Sequence, residues 1–211
     1  MKKRIVSVVM LLAMLLTLAA CGGDKAKLVG KWECEMDMAD QINAEMELDE
    51  ESAQYLSFSN FEILVCMEFN SDGTYAMTAD LDSARAAVNA AREEFADGMA
   101  QYLEAVMVEQ MGIEMSAEEI LAASGVTMED MVAEAFPDSM ADELVDEIAQ
   151  EGNYDAKDGK LYTSAGLEYA VDPAIYETYV LQGSTLTVTG FVGEDSDDST
   201  QIYPMVFKKI G

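Results

Sequence analysis

Lys31-Trp32-Glu33-Cys34-Glu35-Met36-Asp37-Met38 alternates without a break. Lys31, Glu33, Glu35 and Asp37 fall on one side, and Trp32, Cys34, Met36 and Met38 on the other. Successive side chains of an extended chain point to opposite faces, so this octet reads as a half-buried strand. Residues 61–69 repeat the pattern, with Ile63, Val65, Met67 and Phe69 inward. Asn70-Ser71-Asp72-Gly73 then turns the chain, glycine supplying the positive φ of a tight hairpin. Tyr75, Met77, Ala79 and Leu81 extend the inward face along a third strand. Between the first two strands the alternation lapses, and Ile42, Met46 and Leu48 suggest one or two short helical turns.

The period changes after residue 81. From 82 to 151 apolar residues recur at helical spacing, beginning with Val88, Ala91, Phe95, Met99, Tyr102 and Val106. Gly112 is a natural stop for this first helix. Ser116-Ala117-Glu118-Glu119 reads as a capping box opening a second helix that Gly125 ends. A third helix covers 127–136 up to Pro137. A fourth covers 138–150, with Met140, Leu144, Val145 and Ile148 on one stripe and Gly152 after it. Strands resume beyond 152: a hairpin around Lys157-Asp158-Gly159-Lys160, then residues 175–182 and 185–192 joined by Gly183-Ser184, and a last strand over 202–210. The expected fold is mainly β with an α insertion, an antiparallel barrel interrupted by helices. Residues 28–81 supply its first strands, 82–151 the insertion and 152–211 the remaining strands.

Upstream, Lys2-Lys3-Arg4 precedes an apolar run over 5–18, and Leu18-Ala19-Ala20-Cys21 closes it. Charge, apolar run and small residues in that order form a secretory signal over 1–20, too short for the roughly 20 residues of a spanning helix. The Leu-Ala-Ala-Cys junction resembles the lipobox of bacterial lipoproteins. That resemblance implies a diacylglycerated Cys21 as the anchored N-terminus, a lipidated tether over 21–27, and a place on the extracytoplasmic face of the cell membrane, with the lipid bilayer as partner through Cys21.

Composition narrows the chemistry. The net charge is −29 from 12 basic and 41 acidic residues. Loss of the signal removes three basic residues and no acidic one, leaving 9 against 41, or −32. Such a chain repels phosphate, which argues against nucleic acid as a partner. Histidine is absent, and with it the commonest general base and transition-metal ligand. A serine nucleophile therefore lacks its usual base, and no Gly-rich phosphate loop or zinc spacing occurs. Among so many acids some carboxylate pair always looks suited to glycan hydrolysis, so this observation does not discriminate. No catalytic residue, cofactor or metal ligand is assigned. Sixteen methionines, without histidine or a Met-x-Met cluster beyond Met36 and Met38, do not make a copper site. Glu194, Asp195, Asp197 and Asp198 crowd one loop but lack the complete calcium-loop pattern, and such runs are usually solvated hairpin tips. Cys34 shares the inward side of its strand with Trp32, whereas Cys66 sits with Glu62 and Glu68. Outside the cell the two could form one disulfide; their opposite faces argue against it, and the sequence leaves the pairing open.

Gly30-Lys31-Trp32 at the head of the first strand resembles the Gly-x-Trp opening of lipocalins and other calycin barrels. Phe69-Asn70-Ser71-Asp72-Gly73-Thr74-Tyr75 is similar to a hairpin frequent in bacterial lipocalin-like lipoproteins. The segment Leu181-Gln182-Gly183-Ser184-Thr185-Leu186, followed by residues 205–210, resembles their final strands. The resemblance covers the strands and not the helices. It implies that Trp32 plugs one end of the barrel beneath a cation from the last strand, Lys208 or Lys209, and that the interior binds a small apolar molecule or lipid. Independently, Met36, Met67, Tyr75 and Met77 share the inward faces of the first three strands. They either line a cavity or fill a small barrel. A cell-surface module docking an envelope protein through the helices is the alternative. Burial of the Val88-to-Val106 stripe against the barrel mouth would make the helices a lid instead.

Overall fold

A computed structural model describes residues 23–46, 48–193 and 202–211. The signal segment, Cys21 and the acidic loop residues Glu194, Asp195, Asp197 and Asp198 lie outside the described residues. Eight antiparallel strands close into one barrel in chain order: β1 (Gly30–Asp37), β2 (Glu62–Phe69), β3 (Thr74–Ala79), β4 (Gln150–Lys157), β5 (Lys160–Thr163), β6 (Tyr176–Gln182), β7 (Thr185–Val192) and β8 (Met205–Lys209). β3 pairs with β4 across the helical insertion, and β8 returns to β1 with Trp32 opposite Lys209 and Glu33 opposite Lys208. The interrupted antiparallel barrel read from the sequence is the fold observed.

In an up-and-down meander the connections alternate between the two ends. The turns after β2, β4 and β6 are all tight and sit at one end. The connections after β1, β3, β5 and β7 are long and sit at the other. The narrow end is packed solid. Trp32, Leu186 and Phe207 are wholly buried there, and the Phe69 and Tyr154 rings meet at 4.8 Å. Within the tether expected over 21–27, residues 24–27 are helical. They fold into a short helix, α1 (Asp24–Leu28), because Leu28 is apolar enough to bury completely against the plug and its carbonyl accepts a 2.7 Å hydrogen bond from Trp32 Nε1.

Parity decides between the two lysines. Met205, Phe207 and Lys209 share the inward side of β8, so Lys209 swings across the open ring with Nζ 5.0 Å from the centre of the Trp32 ring and donates to the Val29 carbonyl at 2.7 Å. Lys208 points outward and donates to Thr185 Oγ1 at 3.1 Å. It is no part of the plug. Parity also separates the thiols: Cys34 is buried, Cys66 is half-buried on the outer face, and both are free.

Six helices gather at the wide end: α2 (Ala39–Glu45) and α3 (Glu50–Leu56) after β1, then α4 (Leu81–Met111), α5 (Ala117–Ser124), α6 (Met128–Ala135) and α7 (Met140–Ile148) after β3. The third strand stops at Ala79 and not at Leu81. Asp80 accepts from Ser83 N and donates its own N–H to the Leu64 carbonyl, while Ser83 Oγ accepts from Leu64 N. These bonds turn the chain out of the sheet and cap α4 together. Gly112 and Gly125 end their helices in the left-handed region, and Ser116 forms the expected capping box. Gly152 is not a helix stop. α7 ends at Ile148, and Gly152 lies inside β4 opposite Tyr75, where a Cβ would strike the Ser164 carbonyl.

The apolar stripe of α4 is covered. Val88, Ala91 and Phe95 are buried in one continuous core with the barrel, and Met99, Tyr102 and Val106 are half-buried, Tyr102 against the ring of Tyr55. Phe136 sets its ring edge-on against Phe58 and Phe95, and Arg92 Nε and Nη2 donate to its carbonyl. Gly98 lets α4 approach α3 so closely that a Cβ there would collide with the Tyr55 carbonyl.

Removing the plug should cost most. Trp32→Ala is expected to lose about 3–5 kcal/mol of stability, while Lys208→Ala stays within about 0.5 kcal/mol. Equilibrium denaturation of the two variants checks the contrast.

Candidate functional site

The same strands that fill the narrow end leave the wide end open. A cavity of about 610 Å³ lies there, and Met36, Met67, Tyr75 and Met77 are all on its wall. Their convergence follows from register: Met67 pairs with Met77, Tyr75 with Phe69, and Met36 sits one inward position above Cys34 on β1. Of the two readings that the sequence left open, filled lumen or lined cavity, the structure has each at one end.

Met205 and Phe191 complete the apolar wall. Phe191 gets there through an irregularity. Inward residues of β7 are Leu186 and Val188, so an unbroken strand would turn Phe191 outward. The β6–β7 register shifts by one residue after Thr178, and Phe191 then pairs with Glu177 on the inward side. A second cavity of about 500 Å³ lies beneath α2 and α7. It shares Met36, Met77 and Ile202 with the first, so the two cavities lie side by side against these residues.

Polar groups are few and placed. Tyr75 Oη donates to the Ser164 carbonyl at 3.1 Å, and burial pushes its phenol up to about 12. Ser164 Oγ accepts from Asn153 N and donates to the Gly166 carbonyl, which fixes the loop after β5. Glu177 is the one charged side chain among the described residues lining the lumen. Its Oε1 accepts a 2.9 Å hydrogen bond from Tyr203 Oη. Desolvation raises the Glu177 carboxyl above the ordinary 4.5, and the Tyr203 bond opposes that only in part. Burial, with the Glu177 charge beside it, raises the Tyr203 phenol as well.

Glu177 and Tyr203 were not among the residues singled out from the sequence, nor were Phe191 and Met205. A signal for Glu177 existed: Tyr179 and Leu181 lie inward on β6, and Glu177 shares their parity. Tyr203 carries no such signal, since it lies in a connection and not in a strand. Trp32 and Lys209 stand at the opposite end of the barrel and do not contribute. Among the described residues no group of three or more metal-ligating side chains converges, and no helix is long and apolar enough to cross a membrane.

Comparison with protein-family models, curated proteins and solved structures found no match for this chain.

The raised carboxyl gives stability a pH signature. A folded state that favours protonated Glu177 gains stability in full below the unfolded value and loses it as pH rises through the folded one. From about pH 4.5 toward neutrality, the stability of the wild type is therefore expected to fall relative to Glu177→Gln, whose amide can still accept from Tyr203. The difference between the melting temperatures of the two proteins, followed across that range, tests the sign.

Proposed function

We propose that this chain is a membrane-anchored extracytoplasmic lipoprotein whose lipocalin-like barrel binds a small apolar molecule or lipid without transforming it. The observation that carries the reading is the Met-lined lumen of about 610 Å³ at the helix-covered end of the barrel. That volume is in the range of small-molecule sites, roughly 300–1,000 Å³, and an eight-stranded barrel is just wide enough to hold one such ligand. Unbranched methionine side chains adapt to ligand shape at little cost. The buried stripe of α4 supports a lid in preference to a partner surface, because its apolar face is spent inside the chain. Gly-x-Trp at residues 30–32, with Lys209 over the Trp32 ring, supports the lipocalin-like reading. Anchoring rests on the Leu18-Ala19-Ala20-Cys21 junction.

A neutral environment-sensitive dye such as N-phenyl-1-naphthylamine should bind with a blue shift and an affinity on the order of micromolar. Met77→Trp, which adds bulk at a residue lining both chambers, should weaken it by about tenfold or more with the circular dichroism spectrum unchanged. Absence of binding, or undiminished binding by the variant, would overturn the proposal. In a bacterial host, the wild type should incorporate labelled palmitate and sediment with membranes, and Cys21→Ser should do neither.

A further inference from the structure

The charge inside the lumen is the feature that apolar-ligand binding leaves unexplained. Glu177 stands at an inward position of β6, between Leu161 of β5 and Phe191 of β7. Tyr203 satisfies Oε1, while Oε2 has no hydrogen-bond partner among the described residues. No lysine or arginine is among the described residues lining either chamber. The neighbouring Lys160 is on the outer parity of its strand, its Nζ 4.1 Å from the centre of the Tyr176 ring. Glu45 and Glu147 are the charged residues of the adjoining chamber, and both are exposed and acidic. Among the described residues, a largely apolar cavity thus presents one carboxylate, one free acceptor oxygen and no counter-cation.

We propose that the lumen selects amphiphilic amines: a molecule with an apolar body against Met36, Met67 and Met77 and a protonated primary or secondary amine donating to Glu177. This rests on the barrel being a ligand site. Every charge along the way favours a cation. Glu45 and Glu147 of the adjoining chamber are acidic, the whole chain is at −29, and an anionic head such as a fatty-acid carboxylate would lie beside a like charge. A neutral body of the same shape gains the apolar contacts but leaves the half-buried carboxylate desolvated and unpaired, which is costly. Binding an ammonium also favours the ionised form of Glu177. The titratable groups that line the lumen with it are Tyr75, Tyr176 and Tyr203, and the phenols of Tyr75 and Tyr203 are raised above their ordinary value. Amine affinity should therefore rise with pH through the Glu177 transition.

The experiment measures calorimetric affinities of three probes that share one body: 4-phenylbutylamine, 4-phenyl-1-butanol and 5-phenylvalerate. The wild type should bind the amine at least about tenfold tighter than the alcohol, with the carboxylate weakest. In Glu177→Gln the alcohol should bind at least as tightly as in the wild type, the amine preference should fall to near unity, and the pH dependence should flatten. Alcohol binding as tight as amine binding in the wild type, or a preference that survives in Glu177→Gln, overturns amine selection and leaves the ligand site standing. Failure of all three probes overturns both.

Discussion

The pairing of β8 with β1 is the constraint on which the rest of the molecule depends. It joins residues from the two ends of the described chain, and it does so through a short ladder: Trp32 and Glu33 opposite Lys209 and Lys208, extended by Ile210 N donating to the Lys31 carbonyl. Once the ring is shut, no strand has a free edge, and every inward side chain must share one lumen. Trp32 occupies the narrow end because the closing pair is there. Lys209 covers its ring and α1 closes below it, so the space left in the barrel opens at the other end only.

Up-and-down topology then sorts the connections. Each tight turn is at the plugged end, and every long connection emerges at the open one. The helices cannot avoid the mouth of the lumen. What they do there depends on local chemistry: Asp80 and Ser83 dock α4 on the Leu64 backbone, Gly98 brings α3 against it, and Arg92 ties the Phe136 corner down. The result is a chamber under α2 and α7 that shares Met36, Met77 and Ile202 with the lumen.

Much of this was legible in the residues, and what was missed has physical reasons. Alternation in β1 and β2 is strict, so it fixed both strands and the inward set that includes Met36 and Met67. Tyr75 and Met77 followed because the Asn70–Gly73 turn sets register. Boundaries were less visible. Leu81 continues the inward parity of β3, yet Asp80 satisfies a helix N-terminus better than a ladder, and capping outweighs one more apolar contact. Gly152 looks like punctuation after a helix, whereas its small size is needed against the Ser164 carbonyl. Phe191 was hidden because a one-residue shift reverses parity, and no pattern of period two announces where such a shift falls. Glu177 was hidden differently. Its parity was plain, but a carboxylate among forty-one carries little information until the surrounding cavity is known.

The two ends of the barrel are built from the same eight strands, and their contrast separates what folding needs from what it does not. At the narrow end Trp32, Leu186, Leu161 and Phe207 show that this sequence can pack a lumen to complete burial. Folding alone favours the same at the wide end, since dispersion contacts are lost across any void and a half-buried carboxyl adds desolvation to that loss. Instead the wide end keeps an open volume, flexible methionines on its wall and Glu177 held to one oxygen by Tyr203. Each of these lowers stability relative to a packed apolar alternative. Their coincidence at the one end that the helices cover is the physical reason to regard the lumen as a site and not as imperfect packing.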